Sequence, residues 1–146
     1  MLENLYTPEI LNLAANISHI GLLQNADICL SKTSSICGSK ITVSVNIVNN
    51  HITAYGQEIN ACVLAQASAA ILAKFVIGFS FNDLVLATKY LEEILKTGIN
   101  SHKKGIYLFL QLFAPVHAFG ERHEAILLPF KATLECFNTK RKDNFV

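Results

Sequence analysis

Residues 41–59 read ITVSVNIVNNHITAYGQEI, and this stretch carries the clearest secondary-structure signal in the chain. Apolar and polar residues alternate over its first seven positions, which is typical of a β-strand with one buried face. Asn49 and Asn50 follow, and asparagine tolerates the left-handed backbone that a tight hairpin turn requires. We therefore predict a β-hairpin over about residues 40–59, with a two-residue turn favoured over a longer loop.

A two-residue turn fixes which residues face each other across the hairpin, because a slip of one residue would exchange the two faces. The predicted pairs are Ile47–Ile52, Val45–Ala54 and Val43–Gly56 on the apolar face, and Asn46–Thr53 and Ser44–Tyr55 on the polar face. When the same register is extended past the strands, Cys37 falls opposite Cys62. Directly opposed β-carbons lie about 4.5–5.5 Å apart.

Helical patterns flank the hairpin on both sides. Thr7-Pro8-Glu9 predicts a helix start, and Gly21 is a plausible stop for that helix. Ala26, Ile28 and Leu30 alternate with polar residues and predict a short strand. The later helices are predicted over residues 62–77, over 80–97 with a capping box at Ser80 and Asp83 and a stop at Gly98, over 106–112, and over 122–137 with Pro129 inside. This order predicts an α+β fold, with a small antiparallel sheet packed against several helices.

Length and composition limit the possible classes of protein. The chain has 146 residues, of which 51% are hydrophobic and 16% charged, which is sufficient for one domain with an apolar core. We assign this domain to residues 1–138 and a polar C-terminal tail to 139–146. The net charge of +1 provides no field that would attract nucleic acid.

The long apolar stretches favour buried helices over membrane spans. Gln66, Ser68 and Lys74 interrupt the stretch 61–79, and polar residues and a proline interrupt the stretch 106–119. The N-terminal residues show no secretory signal, so we expect a cytoplasmic protein without disulfides.

The predicted neighbours Cys37 and Cys62 are the candidate site. Cys62 falls at the start of a helix, where free N–H groups and the helix dipole favour a thiolate. Two adjacent thiols can hold a soft metal ion or accept sulfur, although two buried thiols can also lie together by accident of topology. Cys29 and Cys136 are interpreted as small buried hydrophobes.

Four segments, taken in order, resemble the U-type (NifU/IscU-like, SufU-type) iron–sulfur cluster scaffold family. Tyr6-Thr7-Pro8-Glu9-Ile10 resembles the family's opening helix, and Ser35-Ile36-Cys37-Gly38-Ser39 resembles its Pro-Leu-Cys-Gly-Asp loop. Residues 61–70 (ACVLAQASAA) resemble its Gly-Cys-Ala-x-x-Gln-Ala-Ser-Ala-Ser helix. Residues 122–130 (RHEAILLPF) resemble its Arg-x-x-Cys-x-x-Leu-x-Trp segment. The resemblance covers nearly the whole chain. It implies a transient iron–sulfur cluster, or zinc, held by three cysteines and an aspartate, with sulfur delivered by a cysteine desulfurase.

This chain keeps only part of the ligand set that the resemblance implies. Cys37 and Cys62 match two of the family's cysteines, whereas Ser39 stands at the aspartate position and Ala125 at the third cysteine position. His123 is a possible additional ligand if its ring turns inward, and a surface or outer-sphere histidine otherwise. Because a structural zinc site needs four donors, we expect weak binding of metal. The other histidines, at 19, 51, 102 and 117, receive no functional role.

Two functions remain open at this stage. The first is a scaffold-like assembly protein that binds iron or zinc, or accepts sulfur, at a partial cysteine site. The second is a cluster-free adaptor or regulator of the same assembly machinery. An enzyme is not expected, because the chain has no Gly-x-Ser-x-Gly motif and no phosphate-binding glycine loop, and Glu92 and Glu93 lie on a solvated helix face.

Overall fold

The computed structural model describes residues 5–99 and 104–143. Over these residues the chain forms five α-helices, one three-stranded antiparallel sheet and two short 3₁₀ segments. The elements in chain order are α1 (Pro8–Ala15), β1 (Ile28–Thr33), β2 (Lys40–Val48), β3 (His51–Asn60), α2 (Val63–Phe75), α3 (Phe81–Thr97), α4 (Ile106–Leu110), the 3₁₀ segments Gln111–Ala118 and Gly120–Arg122, and α5 (His123–Asp143). The predicted α+β fold is confirmed.

The first helix begins where the sequence predicts but ends earlier. The Thr7 side chain accepts a hydrogen bond from the Ile10 amide at 3.3 Å, and Pro8 occupies the first turn. The helix stops at Ala15 and not at Gly21, so the predicted end is wrong. The chain beyond the helix joins the edge of the sheet instead, where the Gly21 amide donates to the Gln57 carbonyl at 2.8 Å.

The hairpin turn is confirmed, but the predicted register holds only next to the turn. Asn49 and Asn50 have φ angles of 52° and 65°, and Ile47 pairs with Ile52. Beyond that pair a β-bulge shifts the ladder by one residue. The four other predicted pairs are therefore wrong, and the observed pairs are Asn46–Ala54, Val45–Tyr55, Ser44–Gly56 and Val43–Gln57.

The bulge follows from the spacing of the two large apolar residues on β3. Ile52 and Tyr55 are both buried, although Tyr55 is the third residue after Ile52. In a regular strand, residues at this odd spacing point to opposite faces. One extra residue in the strand brings both into the core. The Tyr55 hydroxyl then lies 3.3 Å from Thr133 Oγ1 on α5, and this burial raises the pKa of Tyr55.

The core is formed where the sheet packs against α5 and where α5 packs against α2 and α3. Helix α2 is buried nearly all round and packs against α1 and α5, as its apolar sequence predicts. Helix α5 crosses β1 and β2 and also contacts α3. Within the described residues, no helix is both long enough and apolar enough to cross a membrane.

The remaining helix predictions differ mainly at their C-terminal ends. The capping box of Ser80 and Asp83 and the left-handed Gly98 cap of α3 are confirmed. The helix predicted over 106–112 is α4 followed by 3₁₀ geometry, and α5 runs through Pro129 to Asp143 without a restart. Residues 139–143 of the predicted tail are thus helical. Residues 1–4, 100–103 (including His102) and 144–146 lie outside the described part.

Candidate functional site

Cys37 is carried by the loop that joins β1 to β2. The Ser34 amide donates to the Ser39 carbonyl at 2.7 Å, and the Gly38 amide donates to the Ser34 carbonyl at 3.1 Å, which closes the loop. Gly38 has a φ angle of 72°, a left-handed conformation that favours glycine. The closed loop leaves Cys37 exposed at its tip.

Cys62 lies at the N-cap of α2, directly after β3. Its side chain makes no capping hydrogen bond and is partly exposed. The predicted cross-strand opposition of Cys37 and Cys62 is wrong, because the ladder ends at the pair Lys40–Asn60 and both cysteines lie beyond it. A different contact relates the two residues: Ser39 Oγ accepts the Cys62 amide at 3.2 Å and lies 3.0 Å from Cys37 Sγ.

Both cysteines border one small cleft of about 180 Å³ between the β1–β2 loop, the start of α2 and the start of α5. The described residues that line it are Ile36, Cys37, Cys62, Glu121, Arg122 and Ala125. Ala125 is 2% exposed and forms part of the wall contributed by α5. The position at which the family resemblance implies a third cysteine therefore faces the two cysteines that remain.

Hydrogen bonds within the β1–β2 loop lower the pKa of the Cys37 thiol below its ordinary value. The largest contribution comes from Ser39, and a smaller one from Ser34. Ser39 Oγ accepts the amide of Cys62 and still has its own proton to donate. When Cys37 is a thiolate, which has no proton, Ser39 donates to Cys37 Sγ and stabilises the anion. The Ser34 hydroxyl lies 3.5 Å from Cys37 Sγ but donates its proton to Glu124 at 2.8 Å, so we assign the stabilisation to Ser39.

Arg122 brings a positive charge to the wall of the cleft. Its Nη1 donates to the Tyr6 hydroxyl at 3.1 Å, which holds the guanidinium against the N-terminal segment. Its Nε is buried and has no hydrogen-bond partner among the described residues. The wall of the cleft thus carries a cationic side chain in addition to the two thiols.

His123, the possible additional ligand, points elsewhere. Its Nε2 lies 2.8 Å from the Val116 carbonyl, and the residue is outside the lining of the cleft. Ser39 Oγ is engaged with both cysteines, and Ala125 offers no donor atom. Across residues 5–99 and 104–143, no three or more His, Cys, Asp or Glu side chains are grouped as a metal site would require. The two thiols and their neighbours do not fit a resident four-ligand metal ion.

Glu124 is a feature of the site to which the sequence analysis assigned no role. It is the second residue of α5, and its carboxylate accepts hydrogen bonds from the loop that carries Cys37. These bonds lower the pKa of Glu124, with Ser34 and then Ser35 as the largest contributors. No local pattern predicts this contact, because its partners lie about 90 positions earlier in the chain.

The other cysteines lie away from the cleft. Cys29 is on β1 and is exposed, so its interpretation as a buried hydrophobe is wrong. Cys136 is buried on α5 as predicted, and burial raises the pKa of its thiol to about 12. The two residues provide matched references, one accessible and one protected, for thiol chemistry at Cys37.

Comparisons with known proteins agree with the architecture of the domain. No protein-family model matches the sequence, and a search of curated proteins gives no match. Among solved structures, a nitrogen-fixing NifU-like protein (N-terminal) from Brucella abortus is similar at 30% identity, with a TM-score of 0.90 and 97% of each chain covered.

A second structure, described as an iron–sulfur cluster assembly scaffold of the SUF system from Fervidobacterium islandicum, shares the fold. Its TM-score is 0.80 at 19% identity, over 91% of this chain and 96% of that chain. The identity and coverage of the Brucella protein go further than fold alone, and the chain belongs to the NifU-like family.

Proposed function

We propose that the chain works in iron–sulfur cluster assembly as a scaffold-like protein whose Cys37 accepts sulfur. The observation that carries this proposal is the exposed Cys37 thiol, which has a lowered pKa and shares one cleft with Cys62. A thiolate is the nucleophilic form of cysteine, and exposure gives a partner protein access to it. The donor we propose is a cysteine desulfurase that carries a persulfide, and the compartment is the cytoplasm.

The transfer is a thiol exchange that needs no external oxidant. The Cys37 thiolate attacks the outer sulfur of the donor's persulfide, a new S–S bond forms at Cys37, and the donor's S–S bond breaks. The donor cysteine leaves as a thiolate, so sulfur moves from one protein to the other without net oxidation. Ser39 O–H and the Arg122 guanidinium are positioned to stabilise the anionic persulfide that results.

Iron or zinc enters this proposal as transient cargo. Two thiolates leave at least two coordination positions open on a tetrahedral ion, so exchange with solvent ligands is fast and affinity is low. The chain itself acts as a carrier and not as an enzyme. The Cys62 thiol lies on the same cleft and would be the second sulfur ligand of the iron or zinc ion.

A cluster-free adaptor or regulator of the assembly machinery is the second candidate. The observation that favours it is the donor set itself, since Ser39 is engaged in hydrogen bonds and Ala125 has no ligand atom. An adaptor would contact the same partners without any covalent chemistry at Cys37. The two candidates therefore differ in one measurable event, the arrival of sulfur on that thiol.

The test is anaerobic incubation of the purified chain with a cysteine desulfurase and free cysteine, followed by peptide mass spectrometry. The proposal predicts that the peptide containing Cys37 gains the mass of one sulfur atom and that Cys37→Ser abolishes the gain. Cys29→Ser is the matched control, because Cys29 is also exposed but lies outside the cleft. Equal sulfur on Cys29 and Cys37, or none on either, would overturn the proposal, and the second result would favour the adaptor.

A further inference from the structure

Glu124 holds the loop that carries Cys37 through several hydrogen bonds to one carboxylate. Its Oε1 accepts the Ser34 hydroxyl and the Ser35 amide at 2.8 Å each, and the Ile36 amide at 3.3 Å. The Ser35 hydroxyl lies 3.0 Å from both carboxylate oxygens. Two of these donors are consecutive backbone amides, so the carboxylate fixes the path of the main chain immediately before Cys37.

The anchor for this contact is a helix packed into the core, whereas residues 34–39 form the connection between β1 and β2. Glu124 stands in the first turn of α5, and the neighbouring residues Ala125 and Ile126 are buried in the core. The loop between Thr33 and Lys40 is otherwise closed mainly by its own backbone hydrogen bonds. A contact from a packed helix to such a loop decides the loop's orientation relative to the rest of the domain.

We propose that Glu124 is a positioning residue, and that its carboxylate ties residues 34–36 to α5 so that the Cys37 thiol stays over the cleft beside Cys62. The tie complements a second one, in which Ser39 Oγ accepts the Cys62 amide and joins the same loop to α2. Together, Ser39 and Glu124 connect the three elements that a metal ion bound to Cys37, Cys62 and a donor at position 125 would connect. Hydrogen bonds between protein groups thus join the three elements that line the cleft.

A simpler role for Glu124 is general stabilisation of α5, because an acidic residue in the first turn interacts favourably with the helix dipole. Glu121 provides the means to separate the two roles. It carries the same charge, lies just before the same helix and lines the same cleft, but it is exposed and is not in contact with residues 34–36 in the described hydrogen bonds. Removal of its charge changes the local field and leaves the tie intact.

The position of the Cys37 thiol can be tested without any transfer of sulfur to it. The test compares the parent with Glu124→Ala, the isosteric Glu124→Gln and the control Glu121→Gln. Two readouts are taken: amide hydrogen exchange at Ser35 and Ile36, and capture of the Cys37–Cys62 pair by a trivalent arsenical, which needs two neighbouring thiols.

We expect Glu124→Ala to speed exchange at the two amides and to weaken arsenical capture, each by roughly fivefold, as expected for loss of about one net hydrogen bond. Glu124→Gln, which keeps a neutral acceptor, should fall between Glu124→Ala and the parent. Glu121→Gln should show the same exchange at Ser35 and Ile36 as the parent. The melting temperature of Glu124→Ala should fall by only about 2–5 °C, as expected for loss of about one net hydrogen bond. Parent-like values in Glu124→Ala would overturn the inference. So would equally fast exchange at Ser35 and Ile36 in Glu121→Gln, or a change in exchange spread over the whole chain.

Discussion

Substitution of Ser39 by alanine should make Cys37 a weaker nucleophile. Ser39 Oγ lies 3.0 Å from Cys37 Sγ and makes the largest contribution to the lowered pKa of that thiol. A hydrogen bond contributes about 0.5–1.5 kcal/mol net, and we take the lower half of this range because Cys37 is exposed and water competes for its sulfur. Loss of this hydrogen bond therefore raises the pKa of Cys37 toward its ordinary value.

The sign of the effect on rate follows from the reactive form of the thiol. Only the thiolate reacts with an alkylating reagent, so a lowered pKa moves the rise of the rate to lower pH. The parent should therefore show a midpoint for Cys37 below 9.0, the ordinary value for this group, and Ser39→Ala should move the midpoint up. At a pH below both midpoints the rate at Cys37 should fall by roughly two- to fivefold.

The assay is pulsed alkylation with iodoacetamide across a pH series, read by peptide mass spectrometry with Cys29 in the same molecule as the reference. Ser31→Ala is the matched control, because Ser31 Oγ bonds Thr42 on the exposed side of the sheet and does not touch the site. Circular dichroism checks that Ser39→Ala folds, since the variant also leaves the Cys62 amide without its acceptor. A Cys37 midpoint that stays in place or moves down in folded Ser39→Ala would refute the reasoning.

Three further perturbations follow from the same structure. Ser39→Asp combined with Ala125→Cys should create a cleft with four donor groups. The double variant should retain zinc against a chelator and melt at a higher temperature with metal than without, whereas the parent should lose zinc. Equal zinc retention in the folded double variant and the parent would show that position 125 does not contribute a ligand to the cleft. Cys136, with its pKa raised to about 12, should resist alkylation in the native protein and react at the rate of global unfolding in denaturant, and rapid native labelling would contradict its burial. Ser68→Ala should lower the free energy of unfolding by about 1 kcal/mol, because the buried Ser68 hydroxyl donates to the Ile126 carbonyl at 2.6 Å; urea denaturation with unchanged stability would count against this contact.

The parts of the fold that depend on neighbouring residues could be predicted from the sequence. The turn at Asn49 and Asn50 and the capping box of Ser80 and Asp83 are examples, because each is decided within a few positions. The bulge in β3 could not be predicted in this way. It places Tyr55 against Thr133 on α5, and that partner is 78 positions away in the chain.

The candidate site shows the same division between local and distant causes. The sequence predicted that Cys37 and Cys62 lie together, but through strand pairing, whereas the contact runs through Ser39 beyond the end of the ladder. Gly21, predicted as the end of α1, also pairs with a distant partner, the Gln57 carbonyl at the sheet edge. Glu124 likewise acquires its role only once the fold brings α5 to the β1–β2 loop.

The most direct test of sulfur acceptance at Cys37 is the amount of alanine that a cysteine desulfurase forms in the absence of a reductant. Each sulfur removed from free cysteine leaves one alanine, and further turnover then requires an acceptor for the sulfur. The account predicts that added parent protein increases alanine by one equivalent per chain, that Cys29→Ser does the same, and that Cys37→Ser gives no increase. An increase that persists in Cys37→Ser, or a parent protein that gives none, would contradict it.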